Sequence, residues 1–84
     1  MNYVIICRQP GREPYTVGED YVSKPEQLKP RLLSEAFRQA LSGQHGQYPK
    51  GNGSLIAAIK RGLSPDGLSW TARDGTKLSI EPVE

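Results

Sequence analysis

The sequence predicts an α+β domain of ββααββ order, a four-stranded antiparallel sheet with two helices packed on one face. Three observations predict it. β-branched and aromatic runs bounded by turn residues stand at both ends of the chain, and two stretches of helical apolar spacing stand between them. Both helices and the C-terminal hairpin are apolar on one side only, which a helix layer on one sheet face satisfies. Eighty-four residues, 36% of them hydrophobic, suffice for one small core, so residues 1–84 read as a single compact domain.

Tyr3-Val4-Ile5-Ile6-Cys7 is apolar at consecutive positions and rich in β-branched residues, the pattern of a central strand. Gln9-Pro10-Gly11-Arg12 then fits a type II turn, with Pro fixing one φ and Gly supplying a positive one. Tyr15-Thr16-Val17 opens a second strand. Gly18, Glu19 and Asp20 interrupt it and Tyr21-Val22 resumes it, which predicts a bulge or bend.

Ser23 and Glu26 have capping-box spacing around Pro25. Pro30 would cost about 3 kcal/mol inside a straight helix, so a short turn followed by a break or kink is expected there. Beyond it Leu32, Leu33, Ala36, Phe37, Ala40 and Leu41 form an apolar stripe. Arg31, Ser34, Glu35, Arg38 and Gln39 fill the opposite side, and Ser42-Gly43 ends the helix.

Residues 43–53 contain no aliphatic side chain and read as a loop. Ser54 is expected to cap the second helix, whose Leu55, Ile56 and Ile59 face inward while Lys60 and Arg61 oppose the negative dipole end. Gly62 would close it in a left-handed Schellman ending with Leu63 packing back, and Ser64-Pro65-Asp66-Gly67 fits a type I turn. In the last hairpin a two-residue Asp74-Gly75 turn would split the apolar residues between faces. A three-residue loop Arg73-Asp74-Gly75 instead pairs Ala72 with Thr76, Trp70 with Leu78 and Leu68 with Ile80, all on one face.

Chemistry is sparsely represented. A single cysteine allows neither an internal disulfide nor a cysteine-based metal site, and Cys7 in an apolar strand behaves as a small buried hydrophobe. His45 is the only histidine, in a region with no carboxylate between Ala36 and Pro65, so neither a metal centre nor a general base with an orienting acid is expected. Glu19-Asp20 and Asp66 read as solvated turn and strand-edge residues, and Gly51-Asn52-Gly53-Ser54 matches no phosphate-loop or dinucleotide pattern. No catalytic residue, metal or cofactor is predicted, and enzyme is the weakest class. The longest apolar run, Val4–Cys7, is far too short for a membrane span, and no secretory signal is read before Arg8, so the cytoplasm is the expected compartment.

Charge is distributed unevenly. Residues 1–30 balance to zero, residues 63–84 carry −2, and residues 31–62 carry +4. Within that basic middle Lys50 and Gly51-Asn52-Gly53 lead into a helix start, where backbone N–H groups favour an anion, and Tyr48 offers a stacking surface. Arg31, Arg38, Tyr48, Lys50, Asn52, Lys60 and Arg61 are therefore the predicted partner- or anion-binding residues. Tyr48 in a long loop, and Tyr15 or Tyr21 with Arg12, are residue types that serve as interface anchors; half-buried sheet packing is the plainer reading of those tyrosines.

These features predict a small non-enzymatic binding protein that occupies a surface on a larger protein or nucleoprotein complex, as a monomer or weak homodimer away from membranes. Stand-alone proteins of this type are common among phage and mobile-element inhibitors of host machinery, anti-CRISPR proteins among them; the comparison is of type, with no motif behind it. The alternative is direct binding of a DNA or RNA backbone by the basic helix, loop and helix unit. The chain's pI of 8.9 and the unit's eleven-residue loop depart from a dedicated nucleic-acid footprint and from a helix-turn-helix. Third stands a structural subunit that pairs an exposed sheet edge with itself or a larger assembly.

Overall fold

The computed structural model describes residues 2–43, 48–49 and 51–83. Strands β1 (Asn2–Arg8) and β2 (Tyr15–Val22) are followed by a 3-10 turn at Pro25–Leu28 and helix α1 (Lys29–Leu41). Helix α2 (Asn52–Arg61) and strands β3 (Ser69–Thr71) and β4 (Lys77–Val83) complete the chain. The sheet is antiparallel throughout, in the order β2-β1-β4-β3.

Alternation along the strands decides what the helices cover. Ile5, Cys7, Trp70, Leu78 and Ile80 share one face and are buried against Leu28, Leu32, Ala36, Ala40 and Ile59. Each large apolar side chain removed from water here contributes about 1.5–3 kcal/mol. The opposite face is wetter. There Arg8 reaches diagonally to Glu81, with its second N–H 2.9 Å from the carboxylate, and covers Ser79, which is buried.

The first turn forms as expected, with Arg12 N donating to the Gln9 carbonyl at 3.1 Å and Gly11 at φ 74°. The interruption of β2 is a register shift. Tyr3 pairs with Val22 and Ile5 with Val17, so Val4 alone spans what takes Gly18 to Tyr21 on β2. The C-terminal hairpin has the predicted register: Trp70 opposes Leu78, Ala72 N donates to the Thr76 carbonyl at 2.7 Å, and Ile80 N donates to the Leu68 carbonyl at 2.8 Å.

Several local expectations need correction. Lys24, not Ser23, stands before the 3-10 turn, and no side chain caps it. Proline at Pro25 and Pro30 removes amides that a cap would have satisfied, and Pro30 falls in the first turn of α1, where its ring costs nothing. Gly51, not Ser54, precedes α2, which starts at Asn52; its Leu55 N donates to the Gly51 carbonyl at 2.7 Å.

Gly62 is not left-handed. At φ −83° it ends α2 as an ordinary residue would, and its lack of a side chain serves packing instead. A Cβ there would lie 2.4 Å from the Thr71 carbonyl oxygen and 2.8 Å from the Trp70 indole nitrogen. On α1, Gln39 is buried at 5% exposure and bonded to Glu35, whereas Leu41 is 68% exposed.

Candidate functional site

The two edges of the sheet are not equivalent. At β3 the segment after α2 runs alongside: Thr71 N donates to the Gly62 carbonyl and Ser64 N to the Ser69 carbonyl, both at 2.9 Å, and Leu63 bridges to Trp70. That edge is occupied by the chain itself. The β2 edge has no such cover among the described residues. It also carries two exposed aromatic side chains, Tyr15 at 46% and Tyr21 at 55%.

Next to β2 lies an open groove of about 570 Å³, lined by Tyr21 and Val22 from the strand, Gln27 and Leu28 from the 3-10 turn, and Pro30, Arg31 and Ser34 from α1. The 3-10 turn sets its floor, because Leu28 is buried while Pro30 stays exposed. Arg31 lies against the bulge: its guanidinium would be 3.0 Å from a Cβ at Gly18, so the glycine leaves the arginine room beside the strand.

Further along the same flank Tyr15 opposes Cys7, and Gln9 donates to the Tyr15 hydroxyl at 3.4 Å. A hydrogen bond with buried Cys7, then burial, raises the phenol's pKa above its ordinary value. Opposite stands Glu35, which accepts from Arg38 Nε at 3.0 Å and Gln39 Nε2 at 3.3 Å. The Arg38 hydrogen bond holds its carboxyl below the ordinary value, against the opposing effect of burial, and the same contact raises the Arg38 pKa.

The predicted site residues do not form one patch. Arg31 and Arg38 lie on α1 beside β2, while Lys60 and Arg61 are exposed in the last turn of α2. Asn52 opens α2, and Lys50, like His45, lies outside the described residues.

Tyr48 takes the packing role. Its ring stacks on Trp70 with centroids 6.5 Å apart, Arg73 sits 4.7 Å over it, and its hydroxyl accepts from Arg73 N at 3.2 Å. Val22, Leu28 and Ser34 carry no sequence signal of this groove, because only the 3-10 turn brings them together beside β2.

Among the described residues no group of three or more His, Cys, Asp and Glu is placed to hold a metal ion. No helix of those residues is long and apolar enough to cross a membrane. No protein-family model matches the chain, and neither a curated protein nor a solved structure matches it.

Proposed function

We propose that this chain is a small non-enzymatic binding module that works by occupying a surface on a larger protein or nucleoprotein complex, through β2 and the adjoining flank of α1. The observation that carries this reading is the pairing of two exposed tyrosines with a sheet edge that is uncovered among the described residues. Tyrosine and arginine dominate binding energy at interfaces, and Arg31 and Arg38 border the same strand. An inhibitor of host machinery, of the kind phages and mobile elements encode, would act in this way, by occupancy and without turnover. Capture of partners on the tagged chain from its own cells' lysate, with and without nuclease, tests it. A discrete protein band that survives nuclease supports the reading; nucleic acid alone, lost on raising the salt, overturns it.

A second reading, direct binding of a nucleic-acid backbone, is favoured by the exposed Lys60 and Arg61 side by side at the end of α2. It predicts affinity that falls steeply with salt, since each phosphate neutralised releases a counterion.

A further inference from the structure

We infer that Asn52-Gly53, where α2 begins, is a site of spontaneous covalent modification at which the asparagine is converted to aspartate and isoaspartate. The Gly53 amide nitrogen attacks the side-chain carbonyl carbon of Asn52, closing a five-membered succinimide and expelling the side-chain nitrogen as ammonia. Water then opens the ring. Opening at one carbonyl leaves an aspartyl residue, and at the other an isoaspartyl residue whose main chain is longer by one methylene. A following glycine speeds ring closure, because no side chain shields the attacking nitrogen.

Three places in the chain set a side-chain carbonyl before a glycine: Asn52-Gly53, Asp66-Gly67 and Asp74-Gly75. The two aspartates are held in turns. Gly67 N donates to the Ser64 carbonyl at 3.0 Å and Gly75 N to the Ala72 carbonyl at 3.1 Å. Asp66 accepts from the Ser64 hydroxyl and from Leu68 N, which hold its carboxyl below the ordinary value, and an ionised carboxylate resists attack. Asp74 accepts from Thr76 N at 2.9 Å. An asparagine amide is neutral and has no such protection.

The first turn of α2 is weakly held. No side chain caps it, it contains no acid, and glycine flanks Asn52 on both sides. Glycine loses the most backbone freedom on entering a helix, and ten residues are marginal for a helix by themselves. Gly53 N belongs to the first turn, where backbone N–H groups lack an intrahelical acceptor, and no described residue comes within 4 Å of where its Cβ would stand. A helical backbone turns that nitrogen away from the Asn52 carbonyl, so the reaction runs from the frayed turn. The aspartyl product places a negative charge at the positive end of α2 and strengthens the turn; the isoaspartyl product breaks it. Either takes one charge from the +4 of residues 31–62.

Storage of the intact chain for several weeks at neutral pH and body temperature tests the inference. Trypsin, cutting after Lys50 and Lys60, releases residues 51–60 as one peptide for mass spectrometry against a zero-time sample. That peptide should convert to its acid forms at least tenfold faster than Asp66 or Asp74 isomerises. Gly53→Ala should slow the conversion at least tenfold. Gly51→Ser with Ser54→Glu, which supplies a capping box, should slow it about threefold. Conversion no faster than the isomerisation of the two aspartates, or at the wild-type rate in either variant, overturns the inference.

Discussion

Gly62 and Trp70 are fitted to one another: the indole nitrogen donates to the Ile59 carbonyl at 2.8 Å, and a Cβ on Gly62 would stand the same 2.8 Å from that nitrogen. The contact locks the end of α2 to β3 and closes that edge of the sheet. Trp70 is fully buried, so its N–H would be costly to leave unpaired.

Gly62→Ala should therefore destabilise by about 3 kcal/mol, because the Thr71 carbonyl in its way is backbone that cannot swing aside. Gly53→Ala, in the same helix with nothing within 4 Å, should stabilise by about 0.5 kcal/mol. Urea unfolding followed by Trp70 emission measures both. Equal effects of the two changes would contradict the close approach.

Tyr48→Ala should cost about 2 kcal/mol through the lost stack on Trp70, and Tyr48→Phe under about 1 kcal/mol, since only the bond from Arg73 N goes. If Tyr48 is a packing residue, partner capture by the folded Tyr48→Phe chain stays at the wild-type level. A loss of capture without a change in melting temperature would return Tyr48 to the interface.

Glu35 links stability to acid. Its folded pKa lies below the ordinary 4.5, chiefly through the Arg38 hydrogen bond, so the unfolded chain binds more protons in the window between the two values. The contribution is complete above 4.5 and is lost as pH falls through the depressed folded value. Arg38→Gln should move the Glu35 titration back toward 4.5, read by NMR, and shift acid unfolding to higher pH. At neutral pH the cost should be at most about 0.5 kcal/mol, because the Arg38 side chain is 67% exposed.

Much of this fold is legible in the sequence where the signal is local or periodic. The Arg73-Asp74-Gly75 loop, read with the alternation of Trp70, Leu78 and Ile80, is enough to choose between two hairpin registers, and the stripe on α1 places Leu32, Ala36 and Ala40 in the core. What escapes depends on contacts distant in sequence. Gly62 has the local signature of a left-handed stop, and its actual constraint is a strand that begins seven residues later. Gln39 has polar chemistry and helical spacing for the solvent side, yet Glu35 supplies a partner that lets it be buried. The covered and uncovered edges of the sheet cannot be told apart from strand patterns, since Leu63 looks like a helix terminus until it pairs with Trp70.

Lys60→Glu with Arg61→Glu separates the two binding readings. Both residues lie on α2, away from β2, so capture of a protein partner should be unchanged, whereas nucleic-acid binding through them should vanish and its salt dependence with it. Filter binding at low and moderate salt checks this.

The most direct measurement is partner capture from nuclease-treated lysate by the wild-type chain and by Tyr15→Ala with Tyr21→Ala. Both tyrosines are exposed, so the double variant should keep its melting temperature within a few degrees. Loss of at least nine-tenths of the captured protein is the predicted result. Capture at the wild-type level by the folded variant would contradict the claim that β2 and its flank are the binding surface.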